Sequence, residues 1–274
     1  MLESINVINF LLPIFYFTVF GVYSYDFYKE KKAVSNIKRL VLFLTLLLHT
    51  FYLIIRTMEY NHPPITSKFE IFSIISLSIG FSYFVLELLT DIRGTGAFII
   101  LFSFIFQIIS SFFIEHTYIV PEVLRNRLLG LHVINALLGY SGITVSAVYG
   151  LLYLLLYKNL KSNKFGLIFD RLPNLEILEK LSFYSVVIGF ILLTFAMVIG
   201  IIWLPSAYPN FSYTDPKLIG TFVVWAIYGF GILNKLLGKL YGKKIILYSI
   251  FGFVAAILSL IITNTLAKTF HSFY

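Results

Sequence analysis

Eight stretches of this chain are nearly free of charge and long enough to cross a bilayer, and they constrain the fold more than any other feature. They run over residues 5–25, 40–58, 71–89, 97–113, 129–157, 182–204, 218–237 and 245–266. A hydrocarbon layer of about 30 Å takes roughly 20 apolar residues to cross, and backbone inside it has no water to bond, so each stretch is read as a spanning α-helix. The expected class is all-α: a polytopic membrane bundle of about eight transmembrane helices. The fourth stretch is short, and the fifth is long enough to tilt or to project from the bilayer. Charged residues make up 12% of the chain and hydrophobic ones 59%, against roughly 25% and 45–50% in a soluble domain, which excludes a soluble enzyme or nucleic-acid binder. With no cysteine, a disulfide scaffold is excluded as well.

The net charge of +8 then reports orientation, because short loops rich in Lys and Arg stay in the cytoplasm. One set of loops holds fifteen of the 21 basic residues: five between Lys29 and Arg39, then Arg93, five between Lys158 and Lys180, and four between Lys235 and Lys244. The other face holds Arg56, Lys68, Arg125, Arg127, Lys217 and Lys268. Both termini are therefore expected on the outer side of the cell membrane. The first span has no basic segment before it and no small-residue cleavage site after it, and is read as a retained helix. Without a Gly/Ser linker, a low-complexity tract or a repeat, residues 1–274 are expected to form a single integral membrane domain.

Imidazoles near or inside a bilayer are expensive enough to suggest function, and all five histidines fall on the outer half. His49 lies inside the second span and His132 just inside the outer end of the fifth, with His62, His116 and His271 in outer loops and tail. Two intramembrane histidines at comparable depth can donate neutral nitrogens to one iron, as an axial pair does in haem. Arg56 follows His49 by two helical turns on the same face and is positioned to hold an anionic group such as a propionate. Zinc is disfavoured, since cysteine is absent and no histidine pair has i,i+3 or i,i+4 spacing. Glu87 is the one acid well placed within a span, near its inner end, where interfacial exposure is expected.

At residues 49–70, HTFYLIIRTMEYNHPPITSKFE, the chain resembles the cytochrome c assembly family of haem-handling membrane proteins, the CcsA, CcmC and HemX type. In that family a helix ending near an Arg is followed by His-x-Pro-x-x-x-x-Tyr/Phe-Glu, matched by His62, Pro64, Phe69 and Glu70. LLGLHVINALLGYSG, 128–142, is similar to a family helix with a His followed eight residues later by a Tyr, here His132 and Tyr140. The ending TFHSFY places His271 where the family has a His beside its last helix. The family's tryptophan-rich outer loop ends in Trp-Asp-Pro-Lys. Here Asp215, Pro216 and Lys217 are retained and Trp225 follows, but Tyr208, Phe211 and Tyr213 stand in place of the loop's own tryptophans. That departure moves the chain toward the HemX-like branch and away from presentation of haem to a synthetase.

The resemblance implies a membrane protein that handles or transfers haem, bound non-covalently as b-type haem, in cytochrome c biogenesis or haem trafficking. It implies His62 and His271 as an outer axial pair flanking the loop of Asp215, and His132 as the membrane histidine. His49 is added as the second membrane ligand from its depth, and Arg56 as a propionate partner. Such a chain makes and breaks no bond itself, so it is not expected to be an enzyme, and lacking thiols it leaves covalent haem attachment to cytochrome c assembly partners. Two other readings are open. One is a HemX-like regulator or scaffold of haem-biosynthesis proteins acting through the basic loops 28–39 and 158–181, and the other is a small-molecule transporter.

Overall fold

A computed structural model describes residues 2–29, 32–92, 94–115, 118, 120, 122–207 and 212–265. Among these there are helices and no strand: α1 (Leu2–Lys29), α2 (Lys32–Tyr60), α3 (Lys68–Thr90), α4 (Gly96–Phe113), α5 (Arg127–Lys161), the short α6 (Leu167–Arg171), α7 (Leu175–Ala207), α8 (Pro216–Leu236) and α9 (Lys243–Thr265). Eight of them are long and apolar enough to cross a membrane, and each overlies one of the eight expected spans; α8 ends one residue short of the expected 237, and residue 266 of the last span lies outside the described residues. At 35 residues, α5 is about 52 Å long and exceeds the hydrocarbon thickness.

The chain gathers into two compact units, Met1–Gly130 with Asn163–Pro173, and Leu131–Ser162 with Asn174–Tyr274. In the first unit the pattern on α2 shows why the helices associate. Lys38, Leu42, Thr45, Leu46, His49, Tyr52, Ile55 and Arg56 are buried, while Leu40, Phe43, Leu44, Leu47, Phe51 and Ile54 are exposed. The spacing of three and four selects one helical face, and here the polar side chains point inward because lipid surrounds the outside. Ile5, Leu12 and Tyr16 of α1 pack with Tyr52, Ile55 and Tyr60 of α2. Ser67 caps α3 by accepting the Glu70 N–H, and Asp91, left-handed at φ 50°, ends it with its N–H on the Glu87 carbonyl.

Glu87 departs from its expected interfacial exposure: it is 1% exposed. Tyr23 donates to it at 2.5 Å, Lys38 Nζ stands 3.4 Å from its other oxygen, and Lys38 also pairs with Asp26 at 2.6 Å. Arg39 pairs with Asp91 at the same end. Six residues from α1, α2 and the C-terminal end of α3 thus share one charge cluster, a feature invisible to a span-by-span reading.

The second unit is drawn together at small residues. A methyl on Gly142 would lie 2.9 Å from Gly189 Cα and 2.9 Å from the Ser185 carbonyl, and one on Gly189 would lie 2.7 Å from the Gly139 carbonyl. α5 and α7 therefore touch backbone to backbone, and the hydroxyl of Ser146 sits 2.9 Å from Ser182 and 2.8 Å from Ser249 of α9. Gly189→Ala is expected to destabilise the protein by about 1–3 kcal/mol, the usual cost of overpacking. Gly21→Ala, where nothing stands within 4 Å of the added methyl, should stabilise by up to about 1 kcal/mol. Thermal unfolding of both variants in one detergent checks the opposite signs.

Candidate functional site

His132 lies in the second turn of α5, and its Nδ1 is 2.7 Å from the Ala196 carbonyl of α7. A carbonyl only accepts, so Nδ1 carries the proton and Nε2 keeps its lone pair. Gly200, one turn further along α7, makes room for the ring: a methyl there would meet His132 Cε1 at 2.9 Å and Nδ1 at 3.0 Å. A backbone carbonyl holding one nitrogen while the other is presented is the arrangement of an imidazole that ligates a metal. Neither Ala196 nor Gly200 carries a signal in the sequence, since a carbonyl belongs to every residue and a lone glycine in a span is common.

The same unit supplies an aromatic wall. Trp225 of α8 stacks on Phe190 at 5.2 Å and on Phe222 at 5.8 Å, and its Nε1 donates to Thr194 at 2.8 Å. Asp215 caps α8: its carboxylate accepts the Lys217 N–H at 2.8 Å, with Pro216 in the first turn. The Lys217 ammonium, half-buried, lies within electrostatic range of the His132 ring.

His49 sits differently. It is fully buried in the first unit, with Nδ1 2.9 Å from the Tyr16 hydroxyl and Nε2 2.9 Å from the Ser73 hydroxyl. Ser73 in turn donates to Gln107 Oε1 at 3.5 Å, so its oxygen accepts from Nε2–H and Nδ1 accepts from Tyr16. Ligation of iron by His49 requires one of these bonds to open. Arg56, two turns away, is 1% exposed and is held by Glu70, with Nε at 3.0 Å and Nη2 at 2.8 Å from Oε1. The anion that Arg56 binds within this unit is thus a carboxylate of the chain itself. That partner was legible only as part of the His-x-Pro motif.

His62 is 3% exposed, with Nδ1 2.9 Å from the Pro63 carbonyl and its ring 6.1 Å from Tyr60. His271 and His116 lie outside the described residues, as do Tyr208 and Phe211. Among the described residues no three His, Asp or Glu side chains gather as a metal cage. An iron porphyrin requires none, since the macrocycle supplies four donors and the protein one or two. His49 and His62 belong to the first unit and His132 to the second.

Comparison with known proteins agrees with the arrangement of spans and motifs. The family model described as Cytochrome C assembly protein matches residues 11–271. Protein HemX of Bacillus subtilis (strain 168) is 29% identical over 150 residues, 55% of this chain and 54% of that protein, so the match spans about half the length of that relative. Protein HemX of Brevibacillus brevis is 25% identical over 221 residues, 78% of this chain and 79% of its own. Cytochrome c biogenesis protein CcsA of Prochlorococcus marinus (strain AS9601) is 23% identical over 300 residues, covering 99% of this chain and 94% of its own. With the family model matched over nearly the whole length, this multi-pass membrane chain belongs to the cytochrome c assembly protein family.

Proposed function

We propose that the protein is a non-enzymatic haem carrier of the cell membrane, with both termini outside, and that His132 Nε2 is an axial ligand to a non-covalently bound b-type haem. The observation that carries this reading is the Nδ1 contact of 2.7 Å with the Ala196 carbonyl, which fixes the tautomer and leaves Nε2 as the donor. Family membership supports the haem itself. Bound iron would supply the redox-active centre, and the chain's own residues orient it: Ala196 and Gly200 set the His132 ring, and Lys217 offers a cation to a carboxylate substituent. The second axial ligand is another imidazole of the chain, and haem passes onward to cytochrome c assembly partners. Absorption spectroscopy of the purified protein after haem loading tests this. A low-spin Soret and alpha band is expected, and a spectrum identical to free haem in the same detergent rejects the reading.

A second reading is favoured by one observation: Lys161–Leu167 is exposed throughout, with Lys158 just before it. Such a basic segment suits a HemX-like regulator that docks an acidic soluble partner from haem biosynthesis. In that case a pull-down depends on Lys158, Lys161 and Lys164 and is indifferent to His132→Ala. Loss of capture on His132→Ala speaks instead for the haem carrier.

A further inference from the structure

The haem reading gives no role to the lysine-rich end of the second unit, and there a groove opens between α7, α8 and α9. It holds about 300 Å³ of unfilled space and is lined by Phe183 and Val186 of α7, Tyr228 and Ile232 of α8, and Ile245 and Ile246 of α9. From Glu179 at its mouth to Val186 is seven residues, about 10 Å along α7.

The polar groups around the groove are already spent on the protein. Tyr228 donates to the Ser249 carbonyl at 3.2 Å and Tyr248 to the Ile227 carbonyl at 2.9 Å, while Ser182 and Ser249 share the Ser146 hydroxyl at 2.9 Å and 2.8 Å. What the groove offers is aliphatic and ring surface. A polar solute finds no free donor or acceptor there, whereas an alkyl chain gains a dispersion contact at every carbon.

Register sets charge over the mouth. Glu179 precedes Ser182 by three residues, Lys235 follows Ile232 by three and Lys244 precedes Tyr248 by four, and Ser182, Ile232 and Tyr248 all line the groove. Spacings of three and four keep side chains on one helical face, so each of the three helices carries one charged residue above the same opening. Glu179 is fully engaged, because it pairs with Lys235 and its second oxygen accepts the Gly242 N–H at 2.9 Å. Two further acids belong to the unit: Glu176 pairs with Lys180 at 2.7 Å, and Asp215 caps the far end of α8. Lys239, Lys243 and Lys244 are exposed beside the mouth. Lys243 stands 5.1 Å over the Tyr157 ring of α5, which leaves Lys239 and Lys244 as the cations facing outward.

The geometry points to a binding site for an anionic phospholipid, with one acyl chain laid in the groove between α7, α8 and α9 and the phosphate at Lys244, supported by Lys239. A span ends at headgroup depth, where the anion that a bilayer supplies is a lipid phosphate, and lysines near that surface attract it. The groove below accounts for the chain and the lysines account for the charge. A free phosphate would leave the apolar slot unused, and an uncharged hydrocarbon would leave the lysines unused. No part of this site draws on haem.

The test is native mass spectrometry of the full chain, without added haem, released from micelles holding equal amounts of phosphatidylglycerol and phosphatidylcholine with the same acyl chains. A retained lipid is expected, with phosphatidylglycerol favoured by about fivefold for each lysine that reaches its phosphate. Lys244→Ala should lower that preference by about the same factor. Lys29→Ala removes an equal charge at an exposed position of the first unit and should leave the preference unchanged. Ile232→Trp fills the groove and should end retention of both lipids. Lys244→Ala alters one exposed side chain, so it decides the matter if Ile232→Trp does not fold. Glycerol 3-phosphate, a headgroup without chains, should not displace the lipid. Equal retention of the two lipids by the wild type, a wild-type preference in Lys244→Ala, an equal loss in Lys29→Ala, unaltered retention in a folded Ile232→Trp, or displacement by glycerol 3-phosphate each overturns the proposal.

Discussion

Glu70→Ala should destabilise the protein by about 3–5 kcal/mol, the cost of leaving one partner of a buried ion pair alone. The Arg56 side chain is 1% exposed and Glu70 is 2% exposed. Arg56 donates twice to Glu70 Oε1, once more from Nη2 to the Glu115 carbonyl at 2.8 Å, and lies 4.7 Å over the Tyr60 ring. The other carboxylate oxygen accepts from the Thr66 N–H and hydroxyl, both at 2.7 Å. Removing Glu70 therefore takes the carboxylate away from a guanidinium in a low-dielectric site, and frees the two Thr66 donors as well. The double replacement Arg56→Met with Glu70→Leu removes both charges and should cost much less than the sum of the single changes, because apolar side chains of similar volume often replace a buried pair without loss. Unfolding free energies of the three variants in mixed micelles measure this. A loss under about 1 kcal/mol for Glu70→Ala, the level of a solvated surface pair, contradicts the burial described here.

His132→Ala should remove the low-spin haem spectrum of the loaded protein. Loss of an outer-shell partner of a metal-binding histidine costs roughly 10–100-fold in affinity, and loss of the ligand itself should exceed that. The helix should survive, because His132 is half-buried and contributes one hydrogen bond, to Ala196. Added imidazole should restore the spectrum by entering the space the side chain leaves, a readout that a merely unfolded variant does not give. Single replacements of His49, His62 and His271 then identify the second ligand by its own spectral change. An unchanged spectrum in His132→Ala would remove the central residue of the haem proposal while leaving family membership intact.

Much of this fold was legible before any coordinates. Hydrocarbon thickness converts an uncharged run into a helix with little dependence on tertiary context, so all eight spans were legible, including the short α4 and the overlong α5. The Asp215 cap of α8 is equally local in its chemistry, since an N-cap acts within three residues. Glu87 was not legible. Its distance from the span's end suggested interfacial exposure, and only the approach of Tyr23 and Lys38 from α1 and α2 makes burial tolerable. His49 and His132 looked equivalent by depth, yet one has both ring nitrogens engaged and the other presents Nε2.

The sequence by itself determined which segments enter the membrane and that imidazoles and charges accompany them, because the cost of placing polar groups in lipid depends on residue type and run length alone. Tertiary structure decided what those polar groups do there. Whether a histidine donates, accepts or keeps a free lone pair, and whether an arginine greets a ligand or a glutamate, depends on atoms within about 3 Å, and those atoms arrive from helices distant in the chain.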